Sequence, residues 1–252
     1  MKPVIAVYKP VGITPLEALQ RFKQKHPSYM SKKMSYPGRL DPMAEGVLVL
    51  LIGEATKKMV SFMKQDKEYV ADILIGLSTD TLDILGMPTG IGDKKEIDRQ
   101  ALKKKIKSFK GNYQQKIPAY SSIRVKGKPL FYYARHDRLN EIEIPMMNVK
   151  IYDIDILDVY TISTQRLLKD VVKKISFLSG DFRQEEIIGA WKKLLDGREE
   201  KFTVAQVRIN CSSGTYIRAI ARDVGKEFGG GMLIGLKRTR VGNVGVRECE
   251  RV

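Results

Sequence analysis

The sequence predicts an α+β domain with a mixed, largely antiparallel sheet flanked by helices. Three observations carry this. Strands and helices alternate unevenly, several strand pairs have short connections, and Glu68 to Leu77 alternates apolar and polar residues as a half-buried strand does. A doubly wound parallel fold would need a regular β-α-β alternation. The chain has 252 residues, of which 43% are hydrophobic and 29% charged. That mix excludes wholesale disorder and suits a single domain over 1–252.

In chain order, Val4 to Tyr8 reads as a short buried strand ended by Pro10 and Gly12. Thr14-Pro15-Leu16-Glu17 opens a helix, with Thr14 as cap, Pro15 in the first turn and Glu17 closing a capping box. Leu16, Leu19 and Phe22 form its apolar stripe, and Pro27 ends it. Ser35 to Ala44 holds two prolines and a glycine and reads as a loop. Val47 to Ile52 is a buried strand. A helix follows Gly53, with Ala55, Met59, Phe62 and Met63 inward. Glu68 to Leu77 alternates, with Tyr69, Ala71, Ile73 and Ile75 on one face.

Ser78 to Gly86 is turn-like. Leu102, Ile106 and Phe109 mark a basic helix ended by Gly111. Gln114 to Lys128 reads as an extended loop and Pro129 to Arg135 as a short helix. Ile142 to Ile144 and Val149 to Val159 read as strands, Gln165 to Phe177 and Gln184 to Leu195 as helices. Phe202 to Ile209 is a strand, Gly214 to Phe228 a helix, and Met232 to Val241 a last strand.

Forty-five Lys and Arg against 29 Asp and Glu give a formal charge of +16. Such a field favours polyanions. The basic residues are spread along the chain, which suits a nucleic acid laid over a surface better than a membrane-binding amphipathic helix. No apolar run approaches a membrane span; Val47 to Ile52 is the longest. The N-terminus turns polar too early for a signal peptide, and two distant cysteines suit a reducing cytoplasm. No Walker loop, H-E-x-x-H or C-x-x-C occurs. With two histidines, His26 and His136, a histidine metal cage is not available.

Pro37 to Gly46 is the most unusual stretch. Pro42 holds Asp41 extended and Gly38 permits a tight turn, so an aspartate stands on a rigid loop before a buried strand. Gly38-Arg39-Leu40-Asp41-Pro42, with Gly46-Val47-Leu48 and Gly53-Glu54-Ala55-Thr56-Lys57, resembles the catalytic motif of the TruB family of pseudouridine synthases. Other blocks resemble that family in order: Tyr8-Lys9-Pro10-Val11-Gly12, Asp66-Lys67-Glu68-Tyr69, Ser78-Thr79-Asp80-Thr81-Leu82-Asp83, and Ile117 to Ser122 with Arg124, Gly127 and Ala134-Arg135. Cys211 to Arg218 and Leu236 to Gly242 complete the series.

The resemblance implies the pseudouridine synthase fold and isomerisation of uridine to pseudouridine at position 55 in the T-loop of tRNA. No metal or other cofactor is implied. Asp41 is the implied nucleophile, attacking C1′ or C6 of a flipped-out uridine. Arg218 pairs with Asp41, and Tyr69 stacks on the base. Tyr216 and Leu236 line the pocket, while Tyr36, standing where the family usually has a histidine, Arg39, Asp80, Arg124 and Lys9 are the further substrate-binding candidates. The expected partner is the tRNA T-stem-loop, bound by a cytoplasmic monomer that requires no protein partner and no membrane. The alternative is a noncatalytic RNA-binding or tRNA-chaperone protein on the same fold.

Thr161 to Lys201 reads as an insertion relative to the family. It is expected to be an accessory or bracing helical hairpin at the sheet rim, its two apolar stripes packed on each other and dispensable for chemistry. The sequence stops soon after the closing block, so a short form without the C-terminal PUA-like module is expected.

Overall fold

The computed structural model describes residues 2–92 and 96–252. Its strands are β1 Val4–Lys9, β2 Met34–Ser35, β3 Glu45–Ile52, β4 Lys67–Ile75, β5 Leu77–Thr79, β6 Pro88–Ile91 and β7 Gly111–Lys116. They continue as β8 Arg124–Val125, β9 Lys128–Pro129, β10 Met146–Ser163, β11 Lys201–Cys211, β12 Gly231–Val241, β13 Val244–Gly245 and β14 Glu250–Arg251. The helices are α1 Pro15–Lys25, α2 Met59–Met63, α3 Arg99–Lys107, α4 Leu130–Arg135, α5 Thr164–Ile175, α6 Gln184–Leu195 and α7 Ile217–Gly225.

Among the described residues, ten strands join one sheet whose main path is β14-β1-β3-β12-β4-β11-β10-β7. Pairing is antiparallel except at β1–β14 and β3–β12. The mixed, largely antiparallel sheet predicted from the alternation is therefore present. At its centre β3 carries a continuous apolar run and is buried on both faces, while β4 and β11 bury alternate residues over much of their length. The capping box at Thr14 and Glu17 forms as expected. Among the described residues no helix is long and apolar enough to cross a membrane.

Several sequence expectations need correction. Ile142 to Ile144 is not a strand; β10 begins at Met146. Gln114 to Lys116 is not loop but part of β7, which pairs with β10 from Met146 to Ile151. Polar residues mask it because it is an edge strand with one apolar contact face. Its inward Gln115 is fully buried and fills a core position with an amide. The last helix is shorter than expected, with α7 starting at Ile217 and a 3₁₀ turn over Lys226–Phe228.

The segment read as an insertion is also placed differently. Its stripes do meet, but Leu167, Val171, Ile175, Ile187, Trp191 and Leu195 belong to one core with Leu74, Val204, Phe202 and Leu233 of the sheet. The hairpin is not confined to the rim. It covers apolar sheet residues such as Ile162 and Phe202 that water would otherwise reach.

Candidate active site

The Asp41 loop is held at both ends by burial. Leu40, Met43 and Ala44 are within a few per cent of full burial, while the Asp41 side chain between them remains 38% exposed. The loop closes on itself through Ala44 N–H to Asp41 O at 3.0 Å and is tied to the opening block by Gly12 N–H to Pro42 O at 2.8 Å. Gly38 adopts φ +78°, a left-handed conformation open to glycine at little cost.

Arg238 clamps this loop from β12. Its side chain is 1% exposed and donates through Nε to Val47 O at 2.8 Å. It also donates through Nη1 to Arg39 O at 3.1 Å and Nη2 to Gly38 O at 3.3 Å. A buried guanidinium needs acceptors for its donors, and three carbonyls supply them. Sequence reasoning assigned Arg238 no role. Its signal was present: it continues the inward alternation Ile234, Leu236, Arg238 along a buried strand.

Arg218 reaches the same place from α7. Gln115 positions the turn before that helix, donating to Gly214 O at 3.0 Å and accepting from Tyr216 N–H at 3.2 Å. The Arg218 side chain is 6% exposed, and its Nε lies 2.8 Å from Asp41 Oδ2. Its Nη1 donates to Thr81 O at 2.7 Å and its Nη2 to Tyr120 O at 3.1 Å. A second carboxylate, Asp83, lies 3.8 Å from Nε. Burial works against the Arg218 charge, but Asp41 and Asp83 more than offset it and raise its pKa.

Asp83 is the second residue missed, although it ends the Thr-Asp-Thr-Leu-Asp block. Its Oδ1 accepts from Thr81 Oγ1 at 3.0 Å and from Leu85 N–H at 2.9 Å. Burial pushes its carboxyl up to about 6, against the pull of Arg218.

The other candidates divide. Tyr69 on β4 is 7% exposed; burial raises its pKa, the neighbouring Arg238 guanidinium opposing that shift, so the phenol is neutral at physiological pH. Tyr216 is half-buried beside Arg218 and Asp41, and burial raises its pKa too. Leu236 is buried and opposite Ala71, in the same cluster as Tyr69. Arg39 ties the Asp41 loop to the loop after Ile117, donating to Ser122 Oγ at 2.7 Å. Tyr36 packs half-buried against the cluster of Val7, Phe22 and Leu48.

Three further substrate-binding candidates make their contacts within the chain. Lys9 is fully buried and donates to Pro10 O at 2.9 Å and Ile13 O at 2.8 Å, so it braces the opening loop from within. Burial lowers its pKa to about 7. The Asp80 carboxylate is engaged by Met87 N–H at 2.8 Å, Tyr120 Oη at 3.0 Å and Arg183 Nη2 at 2.9 Å. Arg124 sits on the exposed β8–β9 hairpin and holds Gly127 O at 2.7 Å, not a group around Asp41.

Asp41 on its clamped loop and the buried arginine aimed at it thus stand on one mixed, largely antiparallel sheet fold. Two solved structures share it: an H/ACA RNP bound to a substrate RNA containing 2′-deoxyuridine and a Cbf5–Nop10–Gar1 complex. Each has a TM-score of 0.56, at 18% and 20% identity, covering 98% and 95% of this chain. The chain spans about half the length of those solved chains, 50% and 48%.

The model of the TruB family pseudouridylate synthase N-terminal domain matches residues 25–174. The curated tRNA pseudouridine synthase B of Clostridium tetani is 31% identical over 98% of this chain and 70% of its own. That of Deinococcus radiodurans is 31% identical over 98% and 76%. That of Parabacteroides distasonis is 29% identical over 96% and 86%. The chain belongs to the TruB family of pseudouridine synthases.

Proposed function

We propose that this chain isomerises uridine to pseudouridine in tRNA, at position 55 of the T-loop. The observation that carries the reading is the 2.8 Å pair between buried Arg218 and half-exposed Asp41. An aspartate paired with a buried guanidinium and aimed by it, yet open on one side, suits a nucleophile better than a structural ion pair. Family membership and the tRNA pseudouridine synthase B relatives support the substrate class.

In this reading the target uridine leaves the stack and enters beside Asp41. Asp41 attacks C1′ or C6, the N1–C1′ bond breaks, the C5–C1′ bond forms, and the bond from Asp41 to the substrate breaks again to free the carboxylate. The proton on C5 is lost and N1 gains one, so composition is unchanged. Tyr69 and Leu236 give the base an apolar floor, and Tyr216 flanks the pocket. Arg39 and the spread of basic residues follow the phosphates. A monomer acting in the cytoplasm is part of the same proposal.

The test is tritium release from C5 of an unmodified tRNA transcript, with and without its T-loop uridine. Release should require that uridine. Asp41→Asn should abolish release while tRNA affinity stays within about threefold, since the amide keeps shape but not nucleophilicity. Binding without release by the wild-type chain would favour a noncatalytic RNA-binding role.

A further inference from the structure

The connection between α5 and α6 reaches the active site. Phe177 lies over Gly12, where an added Cβ would stand 2.4 Å from the phenylalanine Cβ. Six residues later Arg183 reaches Asp80 and Tyr120. Its Nη2 lies 2.9 Å from Asp80 Oδ2, and its guanidinium lies over the Tyr120 ring, 5.5 Å from the centroid.

Exposed ion pairs contribute little, but this one differs in what it joins. The two side chains are 32% and 24% exposed. The same oxygen, Asp80 Oδ2, also accepts from Tyr120 Oη at 3.0 Å. Asp80 directly precedes Thr81, whose carbonyl accepts from Arg218 Nη1, and Tyr120 supplies the carbonyl that accepts from Nη2. Both acceptors that orient the Arg218 guanidinium thus lie on segments joined through Asp80 and Tyr120. Arg183 caps that junction with an ion pair to one partner and a cation–π contact to the other.

The backbone shows that the placement is specific. Arg183 adopts φ +60°, a left-handed conformation unfavourable for a residue with a Cβ. Surrounding bonds hold it there: Asp181 Oδ1 accepts from Arg183 N–H at 3.2 Å, and Gln184 Oε1 accepts from Phe182 N–H at 2.9 Å.

We propose that Arg183 is a positioning residue for the isomerisation, locking Asp80 to Tyr120 and so fixing the direction in which Arg218 presents Nε to Asp41. This rests on the catalytic reading above. The segment from 164 to 200 is then part of the active-site frame.

The test compares full-length wild type, Arg183→Met and Arg183→Lys. Arg183→Met should lower the single-turnover rate about tenfold, with tRNA affinity within about twofold and an unchanged thermal midpoint. Arg183→Lys keeps the charge and should recover to within about threefold of wild type. In an Asp80→Asn background, Arg183→Met should have less than about a twofold further effect, as expected when both act through one contact.

A second readout needs no turnover. Solvent exchange of the Arg218 Nε–H, followed by NMR in the free protein, should accelerate about fivefold or more in Arg183→Met. Unchanged exchange overturns the proposal, and so do an unchanged rate in an active enzyme or fully additive effects with Asp80→Asn. A slower rate that follows a lowered thermal midpoint marks a folding defect and overturns it too. If wild type makes no pseudouridine but exchange responds, the catalytic reading fails and the positioning role stands.

Discussion

The indole Nε1–H of Trp191 donates to the carbonyl of Gly86 at 3.0 Å, with the tryptophan wholly buried. Gly86 ends the turn that carries Asp80 and Asp83, and a Cβ there would stand 2.2 Å from Thr81 Oγ1. The helical hairpin is therefore keyed into the turn beside the candidate site. Trp191→Ala should lose about 3–5 kcal/mol of unfolding free energy in urea titrations. Trp191→Phe keeps most of the volume and should lose about 1–2 kcal/mol, for the orphaned carbonyl. A loss under 1 kcal/mol for the alanine variant would mean that α6 is not part of the core.

Arg218→Lys should lower the single-turnover rate by roughly 10²-fold. The guanidinium serves Asp41, Thr81 and Tyr120 at once in one plane. An ammonium is a point charge on a flexible stem and cannot reach all three. Rapid-quench measurement with tritiated transcript reads the effect, and a near-normal rate would make Arg218 a structural residue.

Asp83 should make stability depend on pH between about 4 and 6. Its carboxyl titrates at about 6 in the fold against the ordinary value of 3.8. In that window the native state binds more protons than the unfolded chain, so its contribution is present at low pH and lost as pH rises through 6. Asp83→Asn has no proton to exchange. The stability of wild type relative to Asp83→Asn should therefore fall by about 1 kcal/mol from pH 5 to pH 7. Urea unfolding of both proteins at the two pH values measures it; a rise instead of a fall would contradict the buried placement.

Gly46→Ala should destabilise by more than about 3 kcal/mol. Gly46 sits at φ +113°, and a Cβ there would stand 2.2 Å from Arg238 O. β3 and β12 run parallel through this register, so neither backbone can retreat without breaking the sheet. Displacing Arg238 would also release its hold on Gly38 and Arg39. Thermal melting reads the loss, and a midpoint within a few degrees of wild type would show that the strands can separate there.

The sequence by itself determined the local elements and the chemistry-bearing blocks. A continuous apolar run placed β3, alternation placed β4 and β11, and the capping box placed α1, because these signals arise from neighbours in the chain. The Asp41 loop was legible because proline restricts backbone angles locally and glycine opens conformations that other residues avoid. What surrounds Asp41 was decided only in three dimensions. Arg218 lies 177 residues away in the chain, and the acceptors that aim it come from Thr81 and Tyr120. The burial of Lys9 was not legible because burial depends on what packs over a residue, not on its charge. β7 was missed because an edge strand with polar residues has little periodicity until its partner is known. The hairpin of α5 and α6 looked separable because its stripes could satisfy each other. Only packing shows that the sheet needs the same side chains, and that Arg183 arrives opposite Asp80.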